Sequence, residues 1–313
     1  LMSSFECVND DATLSDEALV ALANQKRVDL PSSPTQSNFR VYAILVVNID
    51  GVLRTIEGTN AEQGFIGGAI CAERSALVKL RFFDNPVIQR VIVVTDSKQP
   101  ISPGLLCREY LMSLARNDTV VVMGNAAGDI IVKCNLCDLL PYPYIYRMHK
   151  RSDIKSFAKD FAAIALPASG LNATAQRLHL CAMGKVSLDK HTDMHPLQFA
   201  AAVEFDNGDV EVAWQLKGLE YGCTLDPVVQ LIREMEKRKQ LGGNVLPVML
   251  VMVDQFGTCH APFAQGRALL TEYGYNDLMV IVHDATGTCC MTTAQSLAPS
   301  HSLLSHDDFE VVA

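Results

Sequence analysis

The sequence predicts an α/β protein built of two tandem α/β/α sandwiches, each with a mixed central sheet. Three observations carry this. The order helix, strand, strand, helix, strand, helix, strand runs through the chain twice. Each run contains a β-hairpin pattern closed by a turn dipeptide, Asp50-Gly51 in the first and Asn207-Gly208 in the second. The later strands of each run are short, unbroken apolar stretches of the kind buried on both faces of a sheet.

In the first run a helix is predicted over 16–26. The hairpin follows with strands at 39–48 and 52–56, and apolar i, i+3, i+4 spacing gives a helix over about 71–83. A buried strand at 87–94, a helix over about 105–115 and a strand at 119–123 complete the repeat. The first half then adds one more strand at 129–133 and closes at Asp138-Leu139-Leu140-Pro141. The second run has its leading helix at 154–165, hairpin strands at 198–205 and 209–216, and a helix over about 225–237. A strand at 248–253, a helix over about 263–273 and a strand at 277–282 follow. The segment 147–194, rich in small and polar residues, reads as linker around that leading helix. This gives domains at 1–147 and 148–313.

Bulk properties narrow the function. The 313 residues carry a formal net charge of −9, and the densest basic cluster is Glu236-Lys237-Arg238-Lys239. A polyanion needs a concentrated cationic footprint, so nucleic acid is excluded as a partner, while a small neutral ligand is not. The longest apolar stretches, such as 248–253, are strand-sized, far below the roughly 20 residues of a membrane span. Ten cysteines are scattered without the dense spacing of a disulfide framework, and no signal-peptide pattern opens the sequence. The expectation is a cytoplasmic protein with mostly reduced thiols.

Chemistry concentrates in the first half. Cys71-Ala72-Glu73 opens one predicted helix, and Pro103-Gly104-Leu105-Leu106-Cys107-Arg108 opens another. Two helix N-termini converging at a sheet edge create a positive field that favours thiolate over thiol and supports a bound metal. Zinc deaminases use this geometry: a Cys or His two residues before a Glu, then P-C-x-x-C, hold zinc and its water while the Glu moves protons.

At this point the sequence resembles the cytidine deaminase family. Cys71-Ala72-Glu73-Arg74 is similar to its C-A-E-R helix start, Gly58-Thr59-Asn60-Ala61-Glu62 to its G-x-N-x-E loop, Asn38-Phe39-Arg40-Val41 to its first strand, and Leu139-Leu140-Pro141 to its closing L-L-P. The motifs keep the family's order and spacing over about 38–141, and the duplication resembles the family's two-domain members, whose second copy has lost its site. The resemblance implies Cys71 and Cys107 as ligands of Zn2+, Glu73 as the general acid/base, Asn60 and Glu62 as ribose anchors, and Phe39 and Ala72 lining the base pocket. It implies a pyrimidine nucleoside as substrate, deaminated by hydrolysis, and a homodimer. One position departs: where the family's middle zinc ligand stands, this sequence has Gly104. That change leaves a rival reading open, a nucleoside-binding pseudoenzyme of the same fold. In the second half Leu225 takes the place of the Glu, and Phe263 and Gly266 the places of ligand cysteines.

Other groups read more plainly. Cys134-x-x-Cys137 falls at a strand end without a second pair and is structural. His191 and His195 lack the Glu of H-E-x-x-H and read as exposed linker. Arg108 anchors the helix start through local hydrogen bonds.

Overall fold

The computed structural model describes residues 10–167, 170–240 and 245–300. The chain divides into two compact units, the first running to Leu139 and regaining Ser300, the second spanning Leu140–Pro299. Among the described residues no helix is long and apolar enough to cross a membrane.

The first unit comprises α1 (Asp16–Val28), β1 (Val41–Ile49), β2 (Val52–Thr59), α2 (Ala72–Lys79), β3 (Val87–Thr95), α3 (Leu105–Met112), β4 (Val120–Gly124), β5 (Ile131–Asn135) and the single turn α4 (Leu136–Leu139). Its sheet has the order β2-β1-β3-β4-β5. The β3–β4 pair is parallel and the others antiparallel, so the sheet is mixed. Asp50 and Gly51 both take positive φ, 53° and 84°, the conformation that tightens a two-residue hairpin turn. α1 starts at a Ser15 cap, whose Oγ accepts the Ala18 N–H. It lays Leu19, Val20 and Ala23 on Ile44, Val46, Ile92 and Val122 of the sheet. The intervening β1 residues Ala43, Leu45 and Val47 are also fully buried. Both faces of β1 are therefore covered, which explains its continuous apolar run.

α2 lies against β2 and β1, and Gly58 makes the approach possible. A Cβ there would overlap the Ala72 carbonyl oxygen and sit 2.5 Å from the Ala76 nitrogen. Backbone atoms cannot yield as a flexible side chain can. Gly58→Ala is therefore expected to cost about 1–3 kcal/mol of stability, as overpacking does, and to push the start of α2 off the sheet. Urea unfolding measures the cost, and an unchanged midpoint would contradict the tight approach. α3 is tied down from its opposite side by Arg108, which is fully buried. Its guanidinium donates to the carbonyls of Pro103 (2.6 Å), Leu139 (2.7 Å) and Ser300 (3.1 Å) and to Ser102 Oγ (2.6 Å). This is the anchoring role expected of it.

The second unit repeats the plan: α5 (Ile154–Ile164), α6 (Ala173–Met183), β6 (Phe199–Phe205), β7 (Val210–Trp214), α7 (Pro227–Gln240), β8 (Pro247–Asp254), β9 (Cys259–His260), α8 (Ala264–Glu272), β10 (Met279–His283) and β11 (Cys289–Thr293). Its sheet runs β7-β6-β8-β10-β11, the same order as the first, with β9 added against β8. Both units are thus α/β sandwiches around mixed sheets, as the sequence predicted. Arg267 repeats the role of Arg108, donating to Pro262 (2.7 Å), Pro141 (2.6 Å) and Leu297 (3.1 Å).

Three sequence expectations are corrected. The segment 147–194 is not only linker around one helix: it contains α6, whose Ala175, Leu178 and Ala182 pack under Ala200, Ala202 and Val251. α6 is the counterpart of α1, because it touches β6 and β8 as α1 touches β1 and β3. The final strand is not peculiar to the first half either, since β11 pairs antiparallel with β10 as β5 does with β4. His195 is half-buried, its Nδ1 accepting the Leu197 N–H (3.3 Å), while His191 is exposed as expected.

Candidate active site

The starts of α2 and α3 bring the first unit's chemistry together. Cys71 is the N-cap of α2 and Gly104 the N-cap of α3. One ligand atom each from Cys71, Glu73 and Cys107 lies within 4.8 Å of the other two. Glu73 and Cys107 are buried at 3% and 0% exposure, and Cys71 is partly open. Above them lies a cavity of about 200 Å3, whose lining includes Phe39, Asn60, Glu62, Cys71, Ala72 and Glu73. Gly104 is on its wall. The expected residues are thus gathered at one place, with Cys107 in the floor just beneath the lining.

The electrostatics follow from that crowding. The Cys107 thiol donates toward Cys71, and this, opposed by burial and helped by Arg74, lowers Cys71 to about 6. Arg74 Nη2 lies 3.6 Å from Cys71 Sγ. Cys107 is driven up in turn, first by that hydrogen bond and then by burial. Burial, reinforced by the charge on Cys71, raises Glu73 to about 7. The crowding thus favours a thiolate at Cys71, a protonated Cys107 and a Glu73 that holds its proton more readily than a free carboxyl does.

The donor set fits a soft divalent ion through two protein thiols. At Gly104 a Cβ would meet nothing within 4 Å, so a ligand is lacking where there is room for one. Zinc held by Cys71 and Cys107 would keep two positions for solvent or substrate.

The walls are held by backbone clamps that motif reading did not reveal. Asn60 Oδ1 accepts the Val41 N–H (2.9 Å), and its Nδ2 donates to the Phe39 carbonyl (2.8 Å). Glu62 accepts from the backbone N–H groups of Ser37 (2.8 Å) and Gln36 (3.1 Å) and from the Ser37 hydroxyl (2.6 Å). Arg40 forks onto Asp96, Nε to Oδ2 at 3.1 Å and Nη2 to Oδ1 at 3.2 Å, fixing the strand entry beside Phe39. Thr95 and Ser102 also line the cavity. The available signal for them was position, since Thr95 ends β3 and sites in α/β sheets open at the carboxyl ends of strands.

The second unit has a cavity of about 230 Å3 at the corresponding place, lined by residues including Phe199, Gln215, Lys217 and Phe263. The bridge Leu216↔Leu225 matches Ala61↔Ile70. By that register Asp226 stands where Cys71 stands, and Val228, not Leu225, takes the place of Glu73. Lys217 replaces Glu62, and its Nζ is engaged by Asp189 (2.9 Å) and the Leu197 carbonyl (2.7 Å). Asp226 caps α7, its Oδ1 accepting the Val228 N–H at 2.6 Å. Phe263 caps α8 as Gly104 caps α3, and Gly266 stands at the station of Cys107. No thiol and no glutamate of the first site has a counterpart.

The chain is 36% identical over 105 residues to the cytidine deaminase of Halalkalibacterium halodurans, a match covering 34% of this chain and 76% of that protein. It is 28% identical over 120 residues to the cytidine deaminase of Sporosarcina psychrophila, covering 38% and 85%. Among solved structures, cytidine deaminase from Burkholderia pseudomallei matches at 30% identity over 42% of this chain and 100% of that one, with a TM-score of 0.36. No family model matches the chain.

Proposed function

The chain belongs to the cytidine deaminase family, and from that premise we propose that its first unit is a zinc-dependent hydrolytic deaminase of free cytidine or deoxycytidine. The observation that carries this is the meeting of Cys71, Glu73 and Cys107 within 4.8 Å beneath a cavity walled by Phe39, Asn60 and Glu62.

In this reading Cys71 and Cys107 hold the ion, which when bound lowers the pKa of water and so supplies a nucleophile. Glu73 would take one proton from the attacking water and deliver it to the ring nitrogen, where it stays, and would then pass the second proton, from the hydroxyl formed on the ring carbon, to the amine as its C–N bond breaks and ammonia leaves. Ala72, buried at the first position of α2, presents its backbone to the amino-bearing edge of the base, and Phe39 packs on its face. Asn60 and Glu62, already braced on the 36–41 backbone, present their remaining hydrogen-bonding capacity to the ribose.

Two apolar loops support a homodimer. Phe65 and Ile66, 74% and 73% exposed, stand on the loop that leads to Ile70 on the first unit's cavity wall and give that loop an apolar surface. Leu219 and Tyr221 expose the matching loop of the second unit. In a homodimer these loops would be covered by the other copy.

Gly104 specifically favours a second reading, in which the cavity binds nucleoside without turning it over. Assay of the purified full chain supplied with zinc separates the two. Slow release of ammonia from cytidine is expected. Calorimetric binding of cytidine with no ammonia supports the second reading, and absence of binding sinks both.

A further inference from the structure

The second unit, which has lost the donors of the first site, holds another set of soft donors elsewhere. Cys259 in β9, His283 at the end of β10 and Cys289 at the start of β11 each place a ligand atom within 4.8 Å of the other two. We propose that these residues form a structural binding site for zinc or a similarly soft divalent cation, distinct from the nucleoside cavity.

Two hairpins build the cluster. His283 and Cys289 are direct cross-strand partners in the β10–β11 pair. Cys259 is brought to them by the β8–β9 turn, where it pairs with Val253. Cys259 and His283 are buried and Cys289 is partly buried. Two sulfurs and an imidazole are a donor set that selects zinc over magnesium or calcium. On a zinc tetrahedron with Zn–S near 2.3 Å, neighbouring donors lie about 3.8 Å apart. The donor atoms, all within 4.8 Å of one another, are therefore within about one ångström of a bound geometry, a change that side-chain rotation supplies.

The surroundings of His283 point the same way. Its Nε2 contacts the Leu166 carbonyl at 2.6 Å. A carbonyl can only accept, so Nε2 carries the proton and the lone pair is on Nδ1, the nitrogen turned toward the Cys259 backbone. A ligating histidine commonly gives its second N–H to a carbonyl in this way, which fixes both tautomer and ring orientation. Nδ1 now accepts the Cys259 N–H at 2.8 Å, and the cation would take over that lone pair. His179 on α6 lines with His283 a cavity of about 160 Å3 beside the cluster. That cavity gives a path toward the cluster past His283. Cysteines kept only as small hydrophobes would account for Cys259 in the core, but not for the gathering of three soft donors at one place.

The test uses the full chain carrying Cys71→Ser and Cys107→Ser, which removes the thiols of the first site, so that failure of the deaminase reading leaves the result unaffected. Reduced protein is titrated with Co2+. One equivalent should bind with thiolate-to-cobalt charge-transfer absorption and the strong visible bands of a four-coordinate ion, and zinc should displace it. Adding Cys289→Ser should weaken cobalt binding by about 100-fold, the share of one thiolate in a four-ligand site. As a readout that needs no substitution in the cluster, zinc should protect Cys259 and Cys289 from alkylation, read by mass spectrometry. Absence of thiolate–cobalt bands, cobalt affinity unchanged in Cys289→Ser, or alkylation rates unchanged by zinc would each overturn the site.

Discussion

Gly104→Cys is expected to raise zinc occupancy and to increase cytidine deamination at least ~10-fold. The backbone accepts the change: φ −59° and ψ 156° are open to any residue, and a Cβ meets nothing within 4 Å. The new thiol would stand at the N-cap of α3, where the helix field favours its ionised form. Structural zinc binding of about 10–16 kcal/mol shared over four ligands makes one thiolate worth on the order of 3 kcal/mol, or about two decades of affinity. A firmly held zinc brings the pKa of its water to about 7, where hydroxide is plentiful at neutral pH. Metal analysis after gel filtration and ammonia release read the two effects. Stoichiometric zinc with cytidine untouched would show that the loss extends beyond the metal, and the nucleoside-binding reading would stand alone.

Glu73→Gln, made in the Gly104→Cys protein, is expected to remove about 10²–10⁴-fold of the turnover, the usual contribution of a positioned proton carrier. The amide keeps the volume of a side chain that is 3% exposed and cannot shuttle a proton. Stability should not fall, because a buried carboxyl is costly and a neutral amide less so. Nucleoside affinity and zinc content should hold as well, since Phe39, Asn60, Glu62 and the thiols are untouched. Turnover that survives the substitution would move the acid/base role to another group.

The fold and the gathering of the site were legible in sequence to different depths. Strong periodicity exposed α1, α7 and the buried strands, and the C-A-E-R and G-x-N-x-E segments exposed the candidate residues. α6 was hidden because its inner face is made largely of small residues, Ala175 and Ala182 beside Leu178, which give a weak apolar stripe. β11 was hidden because Cys289-Cys290-Met291-Thr292-Thr293 is half-buried except at the exposed Met291 and has no clean alternation. Setting the Cys223-Thr224-Leu225 segment in the place of Cys71-Ala72-Glu73 puts Leu225 at the glutamate position, whereas sheet register assigns Val228. Motifs named Asn60 and Glu62 without disclosing that both brace the 36–41 backbone, because those contacts reach across 19 to 26 residues. The cluster at Cys259 was invisible for the same reason: its members converge only through two hairpins.

The bonds from Arg108 to Leu139 and Ser300 set an order of events. Ser300 follows Arg108 by 192 positions, and its carbonyl also receives the Ser102 hydroxyl at 2.6 Å. Both acceptances hold the segment that leads into α3, and so the wall of the cavity at Gly104. At roughly 5–20 residues per second of synthesis, about 10–40 s separate the emergence of Arg108 from that of Ser300. During that interval the nascent first unit can pair its strands, but α3 lacks its last latch. A fragment cut at residue 147 would stay in that state permanently, with Cys71, Glu73 and Cys107 all present and the segment leading into α3 held by fewer bonds than in the full chain.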